Sequence, residues 1–385
     1  MRTVSRRRHG GRRRHWSRRS LAAVAALPAL ALAACSSELP QSSLNPASDE
    51  AESIDRLWIL VLTLATVIFV VVMVVFVIAM IRFRARKGDD TEPKQIHGNT
   101  RLEITWTIIP AVVLAVVAVP TVRTLFDLRA PAEGPDVVTV NVIGHQWWWE
   151  FQYPDFTTAD GRPLTTANEL HVPVGRTTSL VMTSADVLHS FWVPPLAGKR
   201  DLLPGELQQM KFTPNDRALA LSLNDQGEQV GIPGQCAEYC WLGHADMRMR
   251  VFVETEADFE NWVGEQLQPA LIPADGTPAA TGYETFTELC TVCHQAYVDD
   301  GAGAAAVGSA LAPDLTHFGG RTTLGAAILD NTAEHLAQWI DNPPALKPMA
   351  PDLNDLQGRR LLGMPDYGLT ADEIAGLVTL LESWK

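Results

Sequence analysis

Two long uncharged apolar runs decide what the first third of this chain can fold into. Leu57 to Ile81 is 25 residues without a charge, and Ile104 to Val122 is 19. A helix rises about 1.5 Å per residue, so each run is long enough to cross the hydrocarbon core of a bilayer, which is about 30 Å thick. Pro110 and Pro120 interrupt the second run, but proline is tolerated in membrane helices. We therefore expect a two-helix transmembrane hairpin over residues 57–126, since the core helices of soluble proteins are shorter.

The charges beside the first run predict the orientation of the hairpin. Four basic residues follow it directly: Arg82, Arg84, Arg86 and Lys87. Because loops rich in Lys and Arg stay in the cytoplasm, the connection between the helices is expected there and both ends of the hairpin outside. The sequence thus predicts a two-pass protein of the bacterial cell membrane, with its large C-terminal part on the outer face.

The N-terminus has the features of an export signal. Residues 1–34 hold nine arginines and no acid, and their apolar stretch LAAVAALPALALAA ends in LAAC at Cys35. Small residues before a cysteine resemble the lipobox of bacterial lipoproteins. We expect a signal peptide over residues 1–34, a lipidated Cys35 and an exported segment over residues 35–56. An ordinary signal peptide, or a first membrane span, is the alternative.

The rest of the chain is strongly acidic, because the net charge is −13 although the first 34 residues are basic. An acidic surface repels nucleic acid and suits basic protein partners. We expect membrane lipid and proteins as partners, and no nucleic acid.

Two further domains follow the hairpin. Residues 135–265 contain short β-branched runs such as VVTVNVIG, TTSLVMTS and MRVFVET, broken by Pro and Gly, which predict an antiparallel β-sandwich. Residues 266–279 are rich in Pro and Ala and are expected to form a linker. Residues 280–385 have a helical pattern.

The helical domain contains the sequence CTVCH, with Cys290, Cys293 and His294. This spacing is typical of covalent haem c attachment, in which the two thiols bond to the haem and the histidine binds its iron. A zinc site, a redox pair or a disulfide would use the same two cysteines. The exported helical context favours haem.

The sandwich contains the sequence CAEYCWLGHADM, with Cys236, Cys240, His244 and Met247. His189, in DVLHSFWVP, supplies a second imidazole from the same domain. A structural zinc site is the conservative interpretation, because two cysteines and two histidines form such sites. Thiolate, imidazole and thioether together favour copper in electron transfer.

The stretches HSFWVP and GQCAEYCWLGHADM resemble the binuclear copper (CuA) site of cytochrome c oxidase subunit II. GHQWWWEFQY is similar to that family's aromatic stretch, and RLEITWTIIPA to the start of its second membrane helix. The appended CxxCH domain resembles the caa-type subgroup, whose subunit II is fused to cytochrome c. Covering residues 50 to 385, the resemblance implies a cupredoxin-like Greek-key sandwich and an all-α class I cytochrome c domain.

The resemblance also implies site residues. The two coppers would be held by His189, Cys236, the backbone carbonyl of Glu238, Cys240, His244 and Met247. The Glu238 carboxylate would bind magnesium at the contact with subunit I. Trp147 would admit electrons, and Glu103 would be the entrance of a proton channel into subunit I, with a simple interfacial anchor as its alternative role.

The second axial ligand of the haem iron is expected to be methionine, which raises the reduction potential. Met364 lies shortly before a final helix predicted from the capping box of Thr370 and Glu373, as in class I cytochromes c. Met349 lies upstream of a polar insertion and remains the alternative. By the same resemblance, the carbonyl of Pro313 would orient His294, and His317 would be a surface residue or a neighbour of a haem propionate.

The implied function is subunit II of a proton-pumping haem–copper oxidase. Electrons would pass from an external donor, either a cytochrome c or a quinol-oxidising complex, through haem c and CuA to haem a of subunit I. The chain has no multi-histidine membrane core, so oxygen reduction would belong to subunit I, and subunit III would be a further partner. The alternatives are a tethered electron carrier or copper chaperone acting alone, and a structural zinc lipoprotein with a haem sensor domain.

Overall fold

The computed structural model describes residues 39, 41–84, 88, 92, 94–351 and 362–385. The expected signal peptide and the lipidated Cys35 lie outside the described residues, as do Arg86 and Lys87 of the basic cluster.

Two helices form the expected hairpin: α1 (Asp49–Arg82) and α2 (Thr100–Arg129). Both are long and apolar enough to cross a membrane, and they contact one another. No residue of α2 is buried, so its apolar side chains face outward, which suits a helix surrounded by lipid. Ser48 and Asn99 cap the two helices with their side chains.

The first helix begins eight residues before the apolar run, inside the segment expected to be a simple exported extension. The amide of Ala47 donates to the carbonyl of Pro195 at 2.8 Å, and the Glu50 carboxylate accepts from the amide of Thr213 at 2.8 Å. The apolar run marks only the membrane span, whereas the acidic first turn of α1 suits a helix N-terminus and packs on the sandwich.

Ten strands form the sandwich in two five-stranded sheets. Their bounds are β1 (Val137–His145), β2 (Trp148–Thr157), β3 (Pro163–Ala167), β4 (Glu169–Pro173), β5 (Thr177–Ser184), β6 (His189–Trp192), β7 (Arg200–Leu202), β8 (Gln208–Phe212), β9 (Ile232–Cys236) and β10 (Arg248–Glu254). The sheet orders are β3-β2-β1-β5-β8 and β4-β10-β9-β6-β7. Two short helices, α3 (Asp216–Leu221) and α4 (Glu256–Gln266), complete this region.

The sheets are mixed, so the expected purely antiparallel pairing is wrong. β1 pairs in parallel with β5, and β4 pairs in parallel with β10. Neither parallel pair is formed by consecutive strands. Three strands lie between β1 and β5 in the sequence, and five lie between β4 and β10. Alternation of buried and exposed residues predicts a strand and its inward face, but it carries no information on the direction of a distant partner.

The core lies between the two sheets. Residues of β1 alternate strictly between buried and half-buried positions, as a strand with one inward face should. On β2 the buried positions are Trp149, Phe151 and Tyr153. The ring of Trp149 meets Phe191 of the opposite sheet edge to face, 5.7 Å between centroids. This contact fixes the packing beneath β6, which carries His189.

The C-terminal domain is helical, as expected, and also contains short strands. Its helices are α5 (Pro278–Leu289), α6 (Ala333–Asp341), α7 (Pro343–Leu346) and α8 (Ala371–Ser383), and its strands are β11 (Ala270–Leu271), β12 (Gln295–Asp299), β13 (Ala304–Gly308), β14 (Thr323–Leu324) and β15 (Leu329–Asp330). The capping box of Thr370 and Glu373 starts α8, as predicted. A strictly all-α domain is therefore an incomplete description.

Helices α5 and α8 cross at two glycines. A Cβ on Gly282 would lie 2.1 Å from the carbonyl oxygen of Gly376, so only glycine permits this approach. The predicted linker is partly ordered within this domain, because β11 pairs with β12 and the helix already begins at Pro278. The Pro- and Ala-rich composition did not reveal this two-residue strand, which is shorter than any periodic signal.

Candidate metal and haem centres

The loop of residues 236–247 connects β9 to β10 and is closed at its base. The amide of Cys236 donates to the carbonyl of Met247 at 2.9 Å, which brings the two ends of the loop together. His189 reaches the same place from β6, whose Phe191 pairs with Cys236 of β9. Two neighbouring strands and one short loop therefore bring all six expected copper donors to one end of the sandwich.

The two sulfur atoms lie at the centre of this group. Cys236 Sγ and Cys240 Sγ are 3.8 Å apart. Cys236 Sγ lies 3.9 Å from His189 Nδ1, and Cys240 Sγ lies 3.6 Å from His244 Nδ1. Each thiol thus has its own imidazole.

Each thiol also has one weak donor. The carbonyl oxygen of Glu238 lies 3.2 Å from Cys236 Sγ, and Met247 Sδ lies 3.8 Å from Cys240 Sγ. The Glu238 carboxylate, expected to bind magnesium, accepts a hydrogen bond from the amide of Tyr239 at 3.2 Å.

The arrangement fits two soft metal ions. The sulfur separation is far longer than the roughly 2.05 Å of a disulfide, so both thiols are available as ligands. A single tetrahedral zinc would use two thiolates and two imidazoles and leave the Met247 thioether without a role. Two central sulfurs, each with one imidazole and one weak donor, match what copper electron-transfer sites require.

The electrostatics of the pair favour a thiolate. The close approach of Cys240 lowers the pKa of Cys236 well below its usual value, with further help from the His189 imidazole. The same interaction, together with burial, raises the pKa of Cys240. One sulfur is therefore already prepared to bind a cation.

Asp186 orients His189, and the sequence analysis did not identify it. Its Oδ1 lies 2.8 Å from His189 Nε2, which leaves Nδ1 facing Cys236. Burial opposes the charged carboxylate, but hydrogen bonds from His189 and the amides of Val187 and Gln146 bring the pKa of Asp186 below its usual value. A carboxylate on the far nitrogen of a ligand imidazole is the usual support in metal sites. In the sequence, only the position of Asp186 three residues before His189 could have indicated this role.

Trp147 lies in the turn between β1 and β2, one residue before the start of β2. The side chain is 3% exposed, and its Nε1 donates to the carbonyl of Cys240 at 2.7 Å. A Cβ on Gly243 would lie 2.6 Å from the indole, so the copper loop closes directly on this ring. Trp147 is thereby tied to one of the two central cysteines.

The CxxCH residues lie where α5 ends. His294 Nδ1 lies 2.8 Å from the carbonyl oxygen of Pro313, the contact expected to orient it, which leaves Nε2 for a metal. Burial raises the pKa of Cys290 to about 11. Cys290, Cys293 and His294 line a cavity with mainly apolar walls. A covalently attached apolar macrocycle with a histidine ligand fits these residues.

Met364 and Met349 both line this cavity. Met364 also lines a second apolar cavity, which shares His294 with the first, whereas Met349 packs against the sandwich core. The geometry therefore favours neither strongly, and Met364 as the axial ligand stays a prediction.

His317 is not a surface residue, and it is absent from the described lining of the haem cavity. It is 7% exposed, and its ring is hydrogen-bonded to the backbone of Gln268 and Glu265. Burial lowers its pKa to about 4, and the charge of Arg321 acts in the same direction. The surface placement was wrong because the segment after α4 folds back over this histidine, and the role beside a haem propionate stays a prediction.

Glu103 lies in the first turn of α2 and is exposed. Its Oε1 accepts from the amide of Asn99 at 3.0 Å, while the Asn99 side chain accepts from Leu102. This reciprocal pair caps the helix, a role the sequence analysis had not assigned.

Known protein families match three consecutive parts of the chain. Residues 39–124 match the transmembrane domain of cytochrome c oxidase subunit II, residues 138–255 its periplasmic domain, and residues 279–385 cytochrome c.

Curated relatives share this organisation over nearly their full length. Cytochrome c oxidase subunit 2 of Alkalihalophilus pseudofirmus is 31% identical, over 92% of this chain and 94% of the relative. The same subunit of Bacillus sp. (strain PS3) is 34% identical over 93% and 95%, and that of Bacillus subtilis is 32% identical over 87% and 91%.

The matched domains imply haem c in the helical domain and copper in the sandwich. The two apolar helices fit a two-pass membrane protein of a bacterial oxidase, in which subunit II works with subunit I. The fold and these relatives agree with the resemblance drawn from the copper and haem motifs. The chain belongs to the cytochrome c oxidase subunit 2 family, and it carries a fused cytochrome c domain.

Proposed function

We propose that this chain carries electrons from an external donor, through its cytochrome c domain and then its sandwich, to haem a of subunit I in a proton-pumping oxidase. One observation supports this order above all. Trp147 lines the haem cavity and at the same time donates a hydrogen bond to the carbonyl of Cys240. A single buried residue thus borders the haem cavity and is bonded to the copper loop.

Six residues would hold the copper pair: His189, Cys236, Glu238 through its carbonyl, Cys240, His244 and Met247. When bound, the copper pair supplies reversible one-electron transfer with its charge spread over both ions. The chain contributes donors that the β9–β10 loop holds in place, so little movement is needed when the charge changes. The Glu238 carboxylate would bind magnesium at the contact with subunit I.

Four residues would hold the haem: Cys290 and Cys293 as covalent attachments, and His294 and Met364 as axial ligands. The Pro313 carbonyl fixes the ring of His294, and the apolar cavity wall excludes water. Thioether ligation would raise the potential relative to a second histidine.

The orientation of the membrane hairpin sets where the folded domains and the partner subunits would lie. Both folded domains would lie on the outer face, with lipid on Cys35 as a second anchor and with subunits I and III beside α1 and α2. Glu103 would stand at the entrance of a proton path into subunit I as well as capping α2. The donor would be a cytochrome c or a quinol-oxidising complex.

A carrier or copper chaperone acting alone is the competing function. Chaperones exchange metal through accessible donors, whereas Cys236, Cys240, Met247 and His189 are all buried. Burial of the donors favours a permanent centre.

Purification of the tagged chain from its host membranes tests the proposal. We expect two coppers and one haem c per chain, co-purification of a subunit containing haem a, and oxygen consumption. Copper without a haem a partner would support the carrier instead, and zinc in place of copper would contradict both.

A further inference from the structure

Lys347 is a buried lysine that the proposed electron path does not use. It follows α7, is 4% exposed and lines the haem cavity. Its Nζ donates to the carbonyl of Trp147 at 2.8 Å and to the carbonyl of Gly325 at 3.0 Å. Trp147 belongs to the sandwich, and Gly325 belongs to the cytochrome c domain. One side chain therefore connects the two domains at the cavity wall.

Other contacts hold the same wall from the sandwich side. Glu169 Oε1 accepts hydrogen bonds from the amide and hydroxyl of both Thr322 and Thr323, all between 2.8 and 3.0 Å. The amide of Arg248, at the end of the copper loop, donates to the carbonyl of Ala326 at 3.2 Å. We call residues 322–326 the docking strip; Lys347 binds it at Gly325.

Trp147 is held at its indole nitrogen and at its backbone carbonyl. Its indole Nε1 donates to the copper loop at Cys240, and its carbonyl accepts from Lys347. The position of this residue is therefore set jointly by the copper loop and by the cytochrome c domain.

Removing the Lys347 amine from water costs free energy. Within the described ranges, no carboxylate forms an ion pair with its Nζ. A methionine would fill a similar volume without desolvating an amine. The two directed hydrogen bonds are what lysine adds at this position.

We propose that Lys347 is a positioning residue that holds the Trp147 turn against the docking strip and so fixes the separation of the haem and copper centres. The inference rests on the proposed function, since it assumes that electrons cross this wall. Electron tunnelling falls steeply with distance, so loosening this contact slows transfer even when both cofactors are intact.

The test compares variants of the complete oxidase. Lys347→Met removes both donors at similar volume, and Lys347→Gln keeps a polar group that is too short to reach both carbonyls. Lys199→Met makes the same chemical change at an exposed lysine of the sandwich and serves as the control. Each is examined by copper and haem spectra, by the rate of electron transfer from photoreduced haem c to copper, and by amide hydrogen exchange.

In both Lys347 variants we expect unchanged spectra, transfer slowed about tenfold or more, and faster exchange in the docking strip but not in β1 or β5. Lys199→Met should behave as the unmodified chain. A wild-type transfer rate in whichever Lys347 variant retains both spectra would overturn the inference, even if its melting temperature fell. Absence of a copper-pair signal from the unmodified oxidase would instead contradict the proposed function.

Discussion

The copper loop and the haem cavity are built by opposite strategies. Five of the six expected copper donors lie within residues 236–247, and the sixth lies on a neighbouring strand. The haem cavity combines residues 290–294 with methionines far along the chain, and its wall includes residues of the sandwich. The first site depends on one short connection, whereas the second depends on the packing of two domains.

This difference determines how far a single substitution reaches. A change in the copper loop should affect the metal and leave the haem domain intact. Changes around the haem cavity should affect ligation, domain docking and stability together.

The largest expected effect is that of Cys240→Ser. Cys240 Sγ lies beside Cys236, His244 and Met247, so its loss removes the atom that joins the two halves of the site. We expect no two-copper electron-spin spectrum, with covalent haem c still present.

Met247→Leu is the control for Cys240→Ser. It removes only the weak thioether, so the copper pair should form with a changed potential. Two coppers in Cys240→Ser with an unchanged spectrum would remove the distinction between central and peripheral donors.

The second prediction separates the two methionines of the haem cavity. Met364→Leu should erase the weak far-red sulfur-to-iron band of the oxidised haem and lower its potential, because thioether ligation stabilises reduced iron. Met349→Leu is the matched variant and should leave the band unchanged. The opposite pair of results would transfer the ligand role to Met349.

The same contrast explains how much could be predicted from the sequence. Four of the expected copper donors could be singled out because their residue types fall within twelve positions, in a loop that joins adjacent strands; the complete set came from the family resemblance. Three features could not be predicted in this way: the strand directions in the sheets, the strand β11 and the ordered start of α1. Each of them depends on a partner that is distant in the chain.

Lys347 and Glu169 illustrate what sequence reasoning missed. Neither lies in a motif, and an isolated lysine or glutamate is usually exposed. Their roles arise only when the two domains meet, so no local pattern could have identified them.

The third prediction tests how rigidly the copper site is supported. Asp186→Asn keeps the shape of the side chain but removes the charge that orients His189. Loss of such a carboxylate typically reduces metal affinity about 10–100-fold, and we expect a loss of this size in competition titrations with a copper chelator.

Asp201→Asn is a suitable control for Asp186→Asn, because Asp201 is an exposed carboxylate on β7, which pairs with the strand of His189. Equal affinity of the two variants would show that the strands alone hold the imidazole.

The smallest expected effect on the two centres is that of His317, which belongs to neither set of expected ligands and introduces a pH dependence of stability. Its ring is neutral and hydrogen-bonded to the backbone in the fold, and burial holds its pKa at about 4, below the ordinary 6.5. A lowered pKa means that the unfolded chain binds the proton more readily. Stability from this residue is therefore complete above pH 6.5 and is lost as the pH falls toward 4. The largest possible loss is roughly 3 kcal/mol, since each pKa unit corresponds to about 1.4 kcal/mol.

His317→Gln keeps a side chain that can donate to the backbone but removes the titration. Between pH 7 and pH 5 we expect the melting temperature of the haem domain to fall less in this variant than in the unmodified protein, while the copper spectrum changes equally in both. A parallel fall in the two proteins would assign the acid sensitivity to other groups. A change in the copper spectrum specific to the variant would show that the haem domain and the copper loop are coupled beyond their contacts at Trp147 and the docking strip.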